Sequence, residues 1–478
     1  MLEELSLEGF KSWERIKSMR LAPITGLFGA NSSGKTSILQ FLLMLKQTAE
    51  SPDRTQMFDF GNERNLVSLG SFEDVLRSYK ELKVMTRKGK PIYRKGKVVT
   101  RAVKSFHPLR WMLRWVLPSP LETSDPSKQK HVVLFSDKEM EIQGEIQHVV
   151  GRVFRVAETK YVFSDHEFGM RLKPKSSREY NLFSEPDDFK FVHRRGRAWG
   201  LPAPIKCYGF PDQVRAYYQN AGFLSDLEFE YEEMLSRIYY LGPLREYPQR
   251  EYTWAGGEPA DMGQRGEKAV EALLASSKRQ KISRGRGRPM FSVEEYVAYW
   301  LKKLGLICDF NVKRITRKSN LYQVWIKKSP KAQPVKITEV GFGVSQILPV
   351  LAICYYVPEG SIVLLEQPEI HLHPSAQSGL ADVFIDAVKT RNIQIIVESH
   401  SEHFLKRLQR RIAEKKLSKD DTALYFCDID SGVSRLINLE LDIFGNIVNW
   451  PKDFFGDSFG EMAATTEAIM NHKREQQG

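Results

Sequence analysis

One eight-residue stretch, GANSSGKT at 29–36, limits the possible folds more than any other part of the sequence. It follows an apolar run that reads as a strand, and it precedes an apolar run with helical spacing, SILQFLLMLKQTA. Glycines at both ends let the backbone turn its N–H groups inward at a helix N-terminus, where an anion is favoured. The stretch matches the P-loop pattern in full and predicts a phosphate site in a P-loop NTPase fold.

The polar groups of this loop have predicted roles. Lys35 is expected to reach the terminal phosphates of a nucleotide as a point charge. The hydroxyl of Thr36 is expected to take a coordination position on Mg²⁺. The residues predicted to bind nucleotide here are Gly29, Ala30, Asn31, Ser32, Ser33, Gly34, Lys35, Thr36 and Ser37.

Segments with strand and helix patterns alternate along the second half of the chain, from about 337 to 428. Such alternation predicts an α/β fold with a mostly parallel sheet covered by helices. Between about 88 and 225 the pattern breaks into short strand-like pieces among prolines and basic loops, which indicates an inserted or lid-like region. We expect an N-terminal ATPase lobe at 1–90, an insertion at 91–235 and a C-terminal lobe at 236–478.

The composition is that of a folded protein, with 42% hydrophobic and 27% charged residues. No apolar run approaches the roughly 20 residues of a membrane-spanning helix, and the acidic N-terminus does not resemble a signal peptide. The 4 cysteines are far apart and suggest neither disulfides nor a zinc ribbon, so we expect a cytoplasmic protein without membrane contact.

The chain carries a formal net charge of +12, which favours polyanionic partners. The excess is concentrated in three basic segments, at 87–104, 193–200 and 278–288, two of which have interleaved aromatic residues. Each segment alone is most simply a solvated loop, but three in one chain indicate nucleic acid as a partner.

The second motif expected of a nucleotide hydrolase is an acid at the end of a buried strand. The run SIVLLEQPE (361–369) supplies Glu366 in that position; in the resemblance described below, Glu366 would be the acid on the Mg²⁺ side. Upstream, Gly341, Gly343, Ser345 and Gln346 come just before an apolar helix and form another possible backbone anion site. Downstream, a strand ends at His400.

The order of these motifs, with LEGFKSW near the N-terminus and HLHP after Glu366, resembles the ATP-binding-cassette ATPases of the SMC, RecF and overcoming-lysogenization-defect (OLD) group. YLGPLREYPQREY (240–252) and LDIFGNIVNWPKDFFGD (441–457) resemble one bacterial branch with a C-terminal domain of unassigned function. The likeness implies an SMC-head-like mixed sheet flanked by helices, ATP and Mg²⁺ as cofactors, and a homodimer or higher homo-oligomer joined through ATP.

In this resemblance, the segment 341–346 would contact the ATP held by a second subunit, and His400 would lie near the γ-phosphate. Two departures stand out. Gly341 occupies a position where many relatives have Ser, and Gln367 stands where the family has a hydrolytic Glu. An amide can orient water but cannot take its proton, and general-base help is typically worth about 10²–10⁴ in rate. Either Glu369 substitutes as the catalytic carboxylate, or hydrolysis is slow.

Several functions follow from this resemblance. The leading hypothesis is a Mg²⁺-dependent ATPase that senses DNA or nucleoprotein in defence against phage or mobile DNA, with an effector in trans. The alternatives are a nucleotide-gated scaffold with very slow hydrolysis and a repair ATPase of the RecF or SMC type. A zinc cluster around HLH (371–373) and a Toprim nuclease site at CDIDSG (427–432) are disfavoured, because the first begins a helix in the family and the second reads as a β-turn.

Overall fold

The fold is described from a computed structural model of the chain. The structure describes residues 1–80, 104–124, 133–149, 153–196 except 175 and 177, 200–283 except 280, and 285, 287, 289–451 and 454; between 81 and 103 it describes parts of the backbone alone. Among these residues, no helix combines the length and apolar character that crossing a bilayer requires.

The strands, in chain order, are β1 (Leu2–Phe10), β2 (Trp13–Arg20), β3 (Ile24–Gly29), β4 (Ser78–Val84), β5 (Thr86–Arg87), β6 (Lys90–Pro91), β7 (Tyr93–Arg94), β8 (Lys97–Val98), β9 (Thr100–Phe106), β10 (Leu109–Ser124), β11 (Val133–His148), β12 (Phe154–Phe163), β13 (His166–Leu172), β14 (Tyr180–Glu185), β15 (Ile238–Leu241), β16 (Tyr252–Thr253), β17 (Asp309–Arg314), β18 (Leu321–Lys327), β19 (Val335–Lys336), β20 (Ile362–Glu366), β21 (Gln394–Glu398), β22 (Thr422–Asp430) and β23 (Val433–Asn438).

The α-helices are α1 (Lys35–Glu50), α2 (Phe72–Val75), α3 (Asp212–Tyr217), α4 (Leu224–Ser236), α5 (Ala269–Ser276), α6 (Val293–Lys303), α7 (Phe342–Tyr356), α8 (Pro374–Arg391) and α9 (Glu402–Ala413). A short 3₁₀ turn, Ile337–Glu339, precedes α7.

Within the described part of the chain, thirteen strands form one mixed sheet in the order β14-β13-β12-β11-β10-β1-β2-β23-β22-β3-β21-β20-β15. The strands from β22 to β15 in this order are parallel, and those from β14 to β2 are antiparallel. The carboxyl ends of β3, β21 and β20 therefore meet at one edge of the sheet. The predicted α/β fold, with a mixed sheet flanked by helices, is confirmed.

Hydrophobic cores lie on both faces of this sheet, and the alternation of side chains along β20 shows it directly. Ile362 and Leu364 pack with α1 and α4, whereas Val363 and Leu365 pack with α5 to α9. All four side chains are almost completely buried. A parallel strand covered on both faces explains why the sequence here is an uninterrupted apolar run.

Three sequence-based assignments differ from the structure. The apolar run before the P-loop, SMRLAPITGLFG (18–29), has the pattern of a single strand, but the structure divides it into β2 and β3 around Leu21–Pro23. The run SDLEFEYEEMLSRIYYLG (225–242) has a helical pattern to its end, but α4 ends at Ser236, and Ile238–Leu241 instead pairs in parallel with β20. Tertiary pairing overrides the local helical pattern here.

The third difference concerns the length of the strands before residue 225. Instead of short pieces, β10 and β11 are 16 residues each and pair with one another. β10 also pairs with β1, so these strands extend the main sheet. Their buried positions alternate only in part, and prolines within β10 interrupt the sequence pattern.

Candidate nucleotide site

The P-loop connects the end of β3 to the start of α1, and its glycines are required by close contacts. Gly29 has φ 134° and Gly34 has φ 97°, both in the region that favours glycine. A Cβ atom on Gly29 would lie 2.0 Å from the carbonyl oxygen of Cys427. A Cβ atom on Gly34 would lie 2.6 Å from Ser434 Oγ and 2.9 Å from Trp13 Nε1. The indole of Trp13 also donates a hydrogen bond of 3.0 Å to the Gly34 carbonyl, which holds the loop in this conformation.

Lys35 is almost completely buried and is held inside the loop. Its Nζ donates to the carbonyl oxygens of Gly29 at 3.1 Å and Ala30 at 2.7 Å, and to Ser33 Oγ at 3.4 Å. A carboxylate oxygen of Glu398 lies 3.9 Å away. Burial lowers the pKa of Lys35, and the charge of Glu398 raises it. The amine therefore lies in a partly compensated low-dielectric site.

The remaining residues of the loop surround this amine. Ala30, Asn31 and Ser32 are exposed, so their backbone is accessible to a ligand from solvent. Ser32 has φ 61°, and Ser37 donates its backbone N–H to the Gly34 carbonyl at 3.1 Å.

Two carboxylates converge on this loop from neighbouring parallel strands. Glu366 ends β20, Glu398 ends β21, and the two residues are register partners. The hydroxyl of Thr36 donates to Glu398 Oε2 at 2.7 Å, and an interaction with the Gln367 side chain lowers the pKa of the same carboxylate. Gln367 has φ 43° and also donates its backbone N–H to the Glu398 carbonyl at 2.8 Å.

Glu366 is buried beside an aromatic hydroxyl and an arginine. Tyr240 donates its hydroxyl to Glu366 Oε1 at 2.8 Å, and Arg245 donates to the Glu366 carbonyl at 3.1 Å. Burial raises the pKa of Glu366 to about 7, with the charge of Glu398 acting in the same direction. Burial also raises the pKa of Glu398, against the hydrogen bond from Thr36 and the charge of Lys35.

The Mg²⁺ that the resemblance implies needs oxygen ligands, and the groups at this edge supply them. Thr36 offers a hydroxyl, and Glu366 and Glu398 offer carboxylates on adjacent strand ends. Hard oxygen donors are those that Mg²⁺ prefers, and it usually takes one or two carboxylates together with phosphate oxygens. The donor set fits Mg²⁺, and the bound ion would supply charge neutralisation for the phosphates.

Glu369 and His400 lie together behind these carboxylates. Glu369 Oε1 accepts from Ser399 Oγ at 2.8 Å and from the His400 backbone N–H at 2.6 Å. Among the described residues, Glu369 Oε2 and His400 Nε2 have no hydrogen-bond partner although both are buried. Burial raises the pKa of Glu369 and lowers that of His400. Glu369 is therefore tied to the end of β21 rather than free in a turn.

The glycine-rich segment at the start of α7 approaches the loop that follows β20. A Cβ atom on Gly343 would lie 3.1 Å from the carbonyl oxygen of His371, just after β20. Gly341 caps α7 and is exposed, and Ser345 donates to the preceding turn of the helix. Gln346 is buried, and its Nε2 has no partner within the described part of the chain.

Sequence reasoning missed Glu398, Tyr240 and Arg245. Glu398 carries the same signal as Glu366, an acid at the end of an apolar strand, and lies two residues before His400. Arg245 lies in the segment YLGPLREYPQREY, for which the sequence alone predicts no role. It is buried, and within the described residues its Nε and one terminal nitrogen have no partner. Burial lowers its pKa to about 10.

The structure describes both segments at which a site was disfavoured, HLH (371–373) for zinc and CDIDSG (427–432) for a Toprim nuclease. No group of three or more His, Cys, Asp or Glu side chains among the described residues could hold a metal ion. His373 caps α8, where its ring accepts from the Ser375 backbone N–H. The CDIDSG segment forms the hairpin between β22 and β23, with the turn at Ser431 and Gly432.

The basic segments are only partly described. The side chains of 87–103 lie outside the described residues, as do 197–199. In the third segment, Arg279 pairs with Glu258 at 2.8 Å and Lys281 pairs with Glu295 at 3.2 Å. Lys278 lies 5.4 Å from the centre of the Trp254 ring. These described cations are engaged with neighbours on the protein.

Two family models match the chain. Residues 245–406 match the model described as "AAA domain, putative AbiEii toxin, Type IV TA system". Residues 417–464 match one described as "Protein of unknown function (DUF3696)", in agreement with the predicted branch. No curated protein matches the sequence.

Similar solved structures are head domains of SMC proteins. One is an SMC head bound to the C-winged helix domain of ScpA, at 11% identity over 92% of this chain and 98% of that chain, with a TM-score of 0.42. A second is the SMC head domain from Thermotoga maritima, at 12% identity over 92% and 99%, with a TM-score of 0.37. A third, with an extended coiled coil and bound to the C-terminal domain of ScpA derived from Pyrococcus furiosus, has 12% identity over 92% and 96% and a TM-score of 0.38.

The raised pKa of Glu366 leads to a prediction about stability. Because its pKa in the folded protein, about 7, lies above its ordinary value of 4.5, the folded state binds the extra proton between these pH values. Stability is therefore lost as the pH rises through this window. Glu366→Gln removes that cost, so we expect it to raise the free energy of unfolding at pH 8 by about 1–3 kcal/mol in the absence of nucleotide. Urea unfolding at pH 8 and pH 5 measures it, and the gain should shrink at pH 5. A variant less stable than the wild type at pH 8 would contradict this account.

Proposed function

We propose that this chain, an AAA-type ATPase of the ATP-binding-cassette and SMC group, binds and hydrolyses Mg²⁺–ATP and is joined into a homodimer by ATP. The observation that carries this proposal is the meeting of Lys35 and Thr36 with the strand-end carboxylates Glu366 and Glu398. A buried amine in a glycine loop at a helix N-terminus supports phosphate binding. Oxygen donors beside it support a metal ion on the same phosphates.

Nucleotide binding is tested by removing the amine. We expect Lys35→Ala to reduce ATP affinity at least about 100-fold, because the fixed cation of the loop is lost while the backbone N–H groups remain. Isothermal titration calorimetry with ATP and Mg²⁺ measures the change. The matched control is Lys46→Ala, a lysine on the same helix that bonds to backbone carbonyls of α4 and should leave affinity unchanged. Equal affinities for wild type and Lys35→Ala would remove the proposed site.

Hydrolysis is the finer part of the proposal. Gln367 has no carboxylate to accept a proton, and its amide is engaged with Glu398. Glu369 is buried, is held by Ser399 and His400, and keeps one carboxylate oxygen without a partner among the described residues. This supports Glu369 as the general base, with His400 near the γ-phosphate. The alternative is a nucleotide-gated scaffold that hydrolyses very slowly.

Glu369→Gln separates these two possibilities. If Glu369 takes the proton of the attacking water, single-turnover hydrolysis should slow by about two orders of magnitude or more, with ATP affinity within about threefold of the wild type. The amide can still accept the hydrogen bonds of Ser399 and His400, so the fold is kept. An unchanged rate in a folded variant would favour the slow scaffold.

The dimer is supported by exposed apolar side chains around the glycine-rich segment. Leu244 is 71% exposed, Tyr247 is 70% exposed and Phe342 is 44% exposed. The ring of Phe342 packs edge-on against Tyr247 at 5.3 Å and His371 at 5.4 Å, so these three rings form one surface. A cluster of this kind beside a possible anion site fits a second copy that presents its own nucleotide.

A charge placed in this surface should prevent the dimer. We expect Phe342→Asp to abolish ATP-dependent dimerisation, because the carboxylate would be desolvated beside the phosphates of the facing copy. Mass photometry with a non-hydrolysable ATP analogue measures the dimer, and binding of the analogue to the monomer should persist. The control is Phe229→Asp, which changes a 61% exposed phenylalanine on α4 and should leave the dimer intact. An unaltered dimer in Phe342→Asp would move the interface elsewhere.

We propose the signal to which this ATPase responds from two observations, the net charge of the chain and the matched family model. The net charge of +12 supports contact with nucleic acid, although the described cations of 278–288 already have partners. The family model names a toxin of a toxin–antitoxin system, which supports a role in defence against phage or mobile DNA. We propose an effector in trans. The alternative is a repair ATPase of the RecF or SMC type.

A further inference from the structure

Glu398 is the carboxylate nearest to both working groups of the P-loop. One of its oxygens lies 3.9 Å from Lys35 Nζ, and the other accepts the Thr36 hydroxyl at 2.7 Å. It is only 3% exposed. A single side chain thus contacts the amine expected to hold the phosphates and the hydroxyl expected to hold the metal.

Strand order explains why this residue, and not Glu366, holds those groups. β21 lies between β3 and β20, and Glu398 is the register partner of both Leu27 and Glu366. Neighbouring strands are about 4.8 Å apart, so Glu366 lies one strand spacing farther from the P-loop strand. The acid at the strand end next to the loop is therefore Glu398.

The environment of Glu398 also gives a reason for Gln367. The backbone N–H of Gln367 donates to the Glu398 carbonyl at 2.8 Å, and the side-chain amide of Gln367 lowers the pKa of the Glu398 carboxylate, which an ionised glutamate at 367 could not do. Two ionised carboxylates in that contact would repel one another in a buried site. The amide at 367 and the acid at 398 are complementary, so the second carboxylate of this site stands on β21 instead of after β20.

We propose that Glu398 makes nucleotide binding depend on Mg²⁺: its carboxylate holds Lys35 and Thr36 in the free protein, and turns to the metal side with Glu366 when Mg²⁺–nucleotide enters. This inference rests on the proposed nucleotide site. Phosphate oxygens without a metal must compete with Glu398 for Lys35 and lie beside a like charge. A bound divalent cation would neutralise this repulsion, and the Glu398 carboxylate would then have a partner other than Lys35.

The test is the affinity for ATP measured with Mg²⁺ and with a chelator. We expect Glu398→Gln to bind metal-free ATP about tenfold more tightly than the wild type, because a competing anion is removed. The same variant should bind Mg²⁺–ATP more weakly, so that the enhancement by Mg²⁺ falls at least about tenfold. Glu366→Gln makes the same change of charge one strand away and should affect metal-free binding less. The control is Glu141→Gln. It changes a mostly buried carboxylate on β11 that is paired with Arg114, and it should change neither affinity.

The exchange of the two side chains sharpens the test. Gln367→Glu alone places two carboxylates in contact, and we expect it to weaken metal-free ATP binding and lower thermal stability. The double variant Gln367→Glu, Glu398→Gln restores an acid–amide pair and should recover that stability. Wild-type affinities with and without Mg²⁺ in folded Glu398→Gln, or no recovery in the double variant, would overturn the proposal. If wild type and Lys35→Ala bind ATP equally, the nucleotide site itself is wrong.

Discussion

The burial of the Lys35 amine is the constraint on which the rest of the site depends. A buried ammonium is costly unless its charge is compensated, and here carbonyl oxygens of the P-loop and the Glu398 carboxylate provide the compensation. The loop can offer those carbonyls only because Gly29 and Gly34 adopt positive φ angles against Cys427 and Trp13. The amine, the loop conformation and the neighbouring acid are thus parts of one arrangement.

The parallel half of the sheet supplies that arrangement. The carboxyl ends of β3, β21 and β20 meet at one edge of the sheet, so the residues at these strand ends lie side by side next to the P-loop. Gathering two acids there is unfavourable for the nucleotide-free protein, since burial raises the pKa values of both Glu366 and Glu398 and the charge of Glu398 raises that of Glu366 further. Such cost is typical of a site prepared for a cation.

Much of this could be predicted from sequence, because the P-loop and the apolar run before Glu366 are local patterns. The alternation of strand and helix patterns after residue 337 also predicts the fold class, because parallel strands that are buried on both faces appear in sequence as apolar runs. The family model over residues 245–406 agrees with that reading. Glu366 stands at a strand end, as the motif predicts.

What escaped prediction depends on pairing between distant segments. Glu398 becomes significant only once β21 is known to lie between β3 and β20, and no local pattern encodes that order. Ile238–Leu241 continues a helical pattern and becomes a strand only by pairing with β20. Arg245 reaches Glu366 across 121 residues of chain, which spacing alone does not reveal.

The most direct test of the account is a crystal structure with Mg²⁺ and a non-hydrolysable ATP analogue. The account predicts the β- and γ-phosphates within hydrogen-bond distance of Lys35 Nζ and the P-loop N–H groups. It further predicts Mg²⁺ bound to Thr36 Oγ1, with the carboxylates of Glu366 and Glu398 turned toward the ion and Glu398 no longer paired with Lys35. A nucleotide bound elsewhere, or bound while Glu398 keeps its present contact with Lys35 and remains away from the metal, would contradict it.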